Sequence, residues 1–176
     1  MSKLISQPQC LATYGDPGLY LVDANPTWVK ANIVGCGWNG KAELAAMPGV
    51  PARFCFATHR KVEQRMRAAF QAAKDACPEY AIGTAASFVF RHQRHDVHRP
   101  LSLHSWGIAV DIDAGLNSPH AFAPGHKPEP WSAAWLERWP HGLPQAFVEA
   151  FEAHGFDWGG RWSDDFVDPE HFQVHE

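Results

Sequence analysis

The chain lacks a basic excess. Its 15 Lys and Arg stand against 19 Asp and Glu, a formal net charge of −4. A nucleic-acid binder carries a basic surplus or a basic stripe, so that partner class is disfavoured. No run of about 18 apolar residues occurs, which argues against insertion into a membrane. The N-terminus, MSKLISQPQCLATYGDPG, shows no continuous apolar stretch after its lysine. No export signal is therefore read there, and synthesis in the cytoplasm is expected. Cys10, Cys36, Cys55 and Cys77 form no C-x-x-C pair, which argues against a cysteine zinc site or a thioredoxin-like motif. Buried thiols are the expectation. No internal repeat and no low-complexity linker divides the chain, so 1–176 reads as a single domain, and a monomer is expected.

What is present suits a packed core: 45% hydrophobic residues, with 8 Trp and 11 Phe. Residues 1–50 are rich in Gly, Pro and Asn and read as irregular, apart from a short strand in WVKANIV (28–34). Thr58 is placed to cap a helix running to about Cys77. Val62, Met66, Phe70, Ala73 and Cys77 follow the 3–4 spacing of one buried face. SFVFR (87–91) alternates as a strand does, with Phe88 and Phe90 on one face. IAVDID (108–113) also alternates, which puts Asp111 and Asp113 on the same side. Ser132 is placed to cap a short helix through Trp139. Pro144 and Gly155 bracket another, with Phe147, Val148 and Phe151 as its apolar face. FDWGGRW (156–162) reads as a tight turn. HFQVH (171–175) alternates again, with His171, Gln173 and His175 on its polar face. The pattern predicts an α+β fold: a small antiparallel sheet with helices packed on one side.

Two distant segments carry metal-site chemistry. SLHSWGIAVDID (102–113) offers His104, Asp111 and Asp113; DPEHFQ (168–173) offers His171 between carboxylates. A catalytic zinc takes three protein ligands and keeps one position open. On a straight strand His104 and Asp111 would lie roughly 23 Å apart, so the chain must bend between them, and Gly107 supplies the freedom. If the strand of His171 neighbours that of Asp111, three ligands converge. Spacing alone does not choose between Asp111 and Asp113. A carboxylate near the metal is needed as base. Strand alternation turns Glu170 away from His171, whereas Asp168, in a turn before Pro169, can reach back.

Ser102-Leu-His104-Ser-Trp-Gly107-Ile-Ala109-Val-Asp111 resembles the S-x-H-x-x-G-x-A-x-D motif of a zinc peptidase family. That family holds the D-alanyl-D-alanine carboxypeptidases and dipeptidases and the L-alanyl-D-glutamate endopeptidases of phage endolysins. Asp168-Pro-Glu-His171-Phe172 resembles its second motif, D-x-x-H-F, and GFDWGGRW (155–162) resembles the approach to that motif in the endopeptidase branch. The resemblance covers about residues 58–176. It implies a hedgehog- and DD-peptidase-like fold, one zinc ion on His104, Asp111 and His171, and Asp168 as general base. It also implies an arginine that holds the substrate carbonyl or its oxyanion: Arg91, with Arg94 as competitor. Ser102 is implied as a substrate contact, with capping of the following turn as the plain alternative. The implied activity is hydrolysis of peptidoglycan stem peptides by an endolysin-like L-alanyl-D-glutamate endopeptidase, made in the cytoplasm and acting on the cell wall after phage-type release. D-alanyl-D-alanine carboxypeptidase or dipeptidase activity is the alternative, and a non-catalytic zinc-binding module on the same fold, as in hedgehog-type signalling domains, is another. A structural virion protein without metal is the remaining contrast.

His92, His95 and His98 share one polar loop, read as solvated and near the cleft entrance rather than as a second metal site. Trp106, Trp158 and Trp162 are candidates for a groove wall, with core packing as the plainer reading.

Overall fold

The computed structural model describes residues 5–19, 22–35, 47–51, 56–162 and 166–175. In chain order the elements are α1 (Gln7–Tyr14), α2 (Pro26–Asn32), β1 (Ile33–Gly35), β2 (Ala57–His59), α3 (Glu63–Ala76), β3 (Ala85–Ala86), β4 (Ala109–Ile112), β5 (His120–Ala121), α4 (Ala133–Arg138), α5 (Gln145–Ala153), β6 (Phe156–Trp158), β7 (Phe166–Val167) and β8 (His171–Val174). A 3-10 turn, Leu103–Trp106, precedes β4. Among the described residues no helix is long and apolar enough to cross a membrane.

The central sheet has the order β3-β4-β8-β6, with every neighbouring pair antiparallel. Register divides its residues into two faces. Val110 pairs with Phe172, and Phe172 with Trp158. These side chains, with Ile112, Val174 and Phe156, are buried. The Phe151 ring of α5 lies 4.5 Å from that of Phe172 and 5.6 Å from that of Phe156, and Phe70 of α3 meets Phe151 at 5.0 Å. Helices thus cover the apolar face, and the predicted α+β class holds. The opposite face carries Asp111, His171 and Gln173, since Asp111 pairs with His171 and Ala109 with Gln173. The face spared by the helices is the one that bears ionisable groups.

Several local expectations are corrected. Residues 26–32 are helical because Asn25 accepts hydrogen bonds from the Thr27 and Trp28 amides and Pro26 occupies the first turn. Only Ile33–Gly35 of WVKANIV is strand, paired with β2. The segment read as irregular therefore holds two helices and a strand. Thr58 caps nothing: it sits in β2, and its hydroxyl donates to the Gly107 carbonyl at 2.7 Å. The helix starts at Glu63, although Val62, Met66, Phe70, Ala73 and Cys77 are all buried as its spacing requires. SFVFR pairs with no strand among the described residues. Its amides are taken by the Ala57 carbonyl (Phe88), the His104 carbonyl (Val89) and the Ser105 hydroxyl (Arg91). Phe156–Trp158 is not part of a turn but the edge strand β6, and the tight turn follows at 159–161. Ser132 does cap α4, accepting from Trp135 N at 3.3 Å. Pro144 stands at the N-cap of α5, and Gly155 after it has φ +80°. Cys10 and Cys77 are buried; Cys36 and Cys55 lie outside the described residues.

Candidate metal centre

His104 is delivered by the 3-10 turn, and Gly107 ends that turn in the left-handed region at φ +66°. A Cβ there would stand 2.8 Å from the His59 amide nitrogen, so only glycine lets the chain bend from His104 into β4 against β2. The bend that the seven-residue spacing demands is thus built at Gly107. Ser102 caps the turn, its Oγ 3.4 Å from His104 N. Ser105, fully buried, donates to the Arg91 carbonyl at 2.8 Å and accepts from the Arg91 amide at 3.0 Å, which ties the turn to the segment bearing the arginine.

Three ligand atoms converge. His104 Nε2 lies 3.1 Å from Asp111 Oδ1, His171 Nδ1 lies 2.9 Å from the same oxygen, and the two nitrogens are 3.2 Å apart. Among the described residues, this is the set of His, Cys, Asp and Glu groups whose ligand atoms all fall within 4.8 Å of one another. Ligands at zinc distances of about 2.0–2.1 Å in a tetrahedron would be separated by roughly 3.3 Å, so the triangle already has the edge of a zinc polyhedron. The remaining ring nitrogens are held. His104 Nδ1 lies 2.7 Å from the Ser87 carbonyl, which can only accept, so Nδ1 carries the proton and Nε2 presents its lone pair. His171 Nε2 lies 3.1 Å from Gln173 Oε1, which leaves His171 Nδ1 for the metal. The donor set of two imidazoles and one carboxylate suits zinc.

The charges follow from this crowding. Burial opposes ionisation of Asp111, but its contacts with the His104 and His171 rings outweigh it and hold the carboxyl far below the usual carboxylate range. Burial pushes His171 down, and the bond and charge of Asp111 more than reverse that, so its pKa stands above the ordinary histidine value. Two further carboxyls feel the same site. Burial raises Asp168 to about 6, with the Asp111 charge adding to it and His171 and Arg91 opposing. Its Oδ1 is buried and has no hydrogen-bond partner among the described residues. Burial, then Asp168 and Asp111, raise Glu170 to about 7. Pro169 and Glu170 form a turn ahead of β8, so strand parity does not fix where the Glu170 carboxyl points.

Asp113 is separated from the centre, contrary to the same-face reading. β4 ends at Ile112, and Asp113 adopts φ +49°. Its carboxylate accepts from the Gly83 and Thr84 amides and from the Tyr80 hydroxyl. Burial and that carboxylate push the Tyr80 hydroxyl well above its usual value. Arg91 Nη2 lies 3.9 Å from Asp111 Oδ2, and its charge reaches Asp168 and Glu170. Arg94 instead lies over the Phe166 ring, 4.8 Å from its centroid. His92, His95 and His98 do not converge; His92 Nδ1 bonds the Arg99 carbonyl at 2.6 Å. Trp106 and Trp158 are core residues. Trp106 donates to the Gly15 carbonyl at 2.8 Å, and Trp158 stacks on Trp131 at 5.1 Å. Trp162 alone of the three stands beside the centre, 5.6 Å from the His171 ring.

The sequence reading passed over Ser87, Ser105 and the part of Gln173. Gln173 carried a signal, since it is two residues from His171 on one strand face. Ser87 acts through its carbonyl, which no side-chain pattern announces.

Residues 95–174 match the family described as D-alanyl-D-alanine carboxypeptidase. No curated protein and no solved structure matches the chain. The matched segment contains Ser102, all three converging ligands and Asp168; Arg91 lies before it, so its placement rests on the distances above. Zinc dependence is a property of that family, and the His104–Asp111–His171 triangle is dimensioned for the ion. Through residues 95–174 the chain is similar to the D-alanyl-D-alanine carboxypeptidase family, and that match supports a metallopeptidase.

Proposed function

We propose that this metallopeptidase hydrolyses an amide bond in peptidoglycan stem peptides, as an L-alanyl-D-glutamate endopeptidase of the endolysin type. The observation that carries the reading is the convergence of His104 Nε2, Asp111 Oδ1 and His171 Nδ1 beside a buried, uncommitted Asp168 carboxyl oxygen. Zinc on the three ligands would supply Lewis acidity toward the scissile carbonyl and bring the pKa of a water toward 7. Asp168 takes a proton from the attacking water and passes it to the leaving amine. An acid group raised to about 6 by burial is matched to that exchange near neutral pH. Arg91 donates to the oxyanion, from a guanidinium already within 3.9 Å of the ligand Asp111. Ser102 meets substrate from the cap of the turn that carries His104. The likeness of residues 155–162 to the endopeptidase branch favours the internal bond over a terminal D-alanine, and action on the cell wall after phage-type release goes with that branch.

A non-catalytic zinc module requires neither a raised carboxyl nor a guanidinium beside its ligands, so Asp168 and Arg91 favour the enzyme. The test is digestion of purified peptidoglycan with and without a chelator, with products read by mass spectrometry. New N-termini at the L-to-D bond support the endopeptidase, and release of free D-alanine supports the carboxypeptidase instead. No release under either condition, by a protein carrying zinc, would leave only the binding module.

A further inference from the structure

The metal centre is flanked by a wall that does not belong to it. Trp162 stands 5.6 Å from the His171 ring, Phe166 stacks on Trp162 at 6.5 Å with an interplanar angle of 27°, and the Arg94 guanidinium lies 4.8 Å over Phe166. The wall is braced: Lys127 Nζ donates to the Trp162 carbonyl. Arg94 is exposed and has no carboxylate partner among the described residues, unlike Arg67, Arg91, Arg99 and Arg161. The backbone that puts it there is unfavourable for L side chains, with Arg94 at φ 55° and His95 at φ 57° in succession. Consecutive left-handed residues other than glycine persist only where the surroundings hold them, and such positions gather at ligand clamps.

A guanidinium stacked on an aromatic face keeps its N–H edge free for a planar bidentate anion. The three steps from His171 to Arg94 amount to at most about five extended residues of peptide. We propose that Arg94, seated on Phe166, which in turn stacks on Trp162, forms a binding subsite for a carboxylate of the peptide substrate, distal to the scissile bond. The subsite rests on the peptidase reading for the identity of its ligand. It leaves the oxyanion to Arg91 and gives Arg94 the task of selecting substrates that carry an acid within five residues of the cut.

The experiment uses the zinc-loaded full chain and two stem-peptide analogues in which a reduced amide replaces the scissile bond. One bears a free distal carboxylate; the other has it amidated. Affinities are measured by calorimetry for the wild type, Arg94→Gln and Phe166→Leu. The wild type should prefer the acid by about tenfold. Arg94→Gln should abolish that preference and leave affinity for the amide unchanged, and Phe166→Leu should reduce it. Equal preference in wild type and Arg94→Gln, or none in the wild type, overturns the subsite. A lowered melting temperature of Arg94→Gln with preference intact gives the stack a purely structural role and also overturns it. Cleavage of the matching unmodified peptide is scored separately. An acid preference without cleavage would remove the proposed hydrolysis and leave the Arg94 subsite standing.

Discussion

Asp111 and His171 are direct partners in the β4–β8 ladder, and Asp111 Oδ1 lies 2.9 Å from His171 Nδ1. Opposite residues of an antiparallel pair project from the same face, so register alone brings together two ligands sixty positions apart. His104 then needs only the bend at Gly107 to join them.

Gln173 fixes the His171 tautomer by accepting from Nε2 at 3.1 Å. Gln173→Met keeps the volume and removes the acceptor. Zinc affinity, read by competition with a chelating dye, should fall about 10- to 100-fold while the melting curve stays cooperative. An unchanged affinity would show that the ring needs no such partner.

Asp168→Ala should retain one zinc per chain and lose about 10²–10⁴ in kcat, because the proton acceptor goes and the ligands remain. His104→Ala should lose both metal and activity. Full activity in Asp168→Ala would transfer the base to Glu170, which shares the site's charges. Glu170→Gln is then the deciding variant.

Gly159 lies where a Cβ would stand 2.3 Å from the Asp168 carbonyl oxygen. Gly159→Ala must push the 168–170 turn aside, at a cost of about 1–3 kcal/mol. Displacing a proton-transfer group by even 1 Å can cost about 10²-fold in rate. The expected result is a folded, zinc-loaded protein of low kcat, checked by metal analysis beside steady-state kinetics. Wild-type kinetics would mean that the turn tolerates the shift.

His59 makes stability depend on pH. Burial drives its pKa down to about 4, with Lys61 and Arg60 adding to this and the Tyr14 carbonyl opposing it. The unfolded chain, with an ordinary imidazole near 6.5, takes up the proton first as pH falls. The contribution of His59 is therefore whole above pH 6.5 and is lost as pH drops toward 4, by about 3 kcal/mol over that window. Asp168 and Glu170, raised by burial, act in the opposite sense in any variant that keeps them. The measurement is thus the difference in unfolding free energy between wild type and His59→Gln across pH 4–7. A difference independent of pH would defeat the prediction.

The parts of this fold that could be read in advance are those where one residue type does one job. The buried spacing of Val62, Met66, Phe70 and Ala73, the cap at Ser132 and the alternation of HFQVH each reflect a local rule. The convergence of His104, Asp111 and His171 was indicated by the motif resemblance, since spacing alone left Asp113 open beside Asp111. Asp113 failed because parity was carried one residue past the strand, into a positive-φ turn. SFVFR failed because alternation does not reveal which neighbour takes the amides; the His104 turn takes those of Val89 and Arg91, and Ala57 takes that of Phe88. Residues 28–32 of the expected WVKANIV strand are helical instead, because Asn25 and Pro26 start a helix ahead of them.

The position of β8 has a consequence for the ion. β8 fills the slot between β4 and β6, two strands that both precede it in the chain and do not pair with each other. One face of this keystone closes the aromatic core through Phe172, while the other carries His171 and Gln173. Grip on the cation and closure of the sheet thus fall to the same strand. Stripping the ion should loosen the middle of the sheet before its margins, and amide exchange along 171–174 should quicken ahead of that in α3.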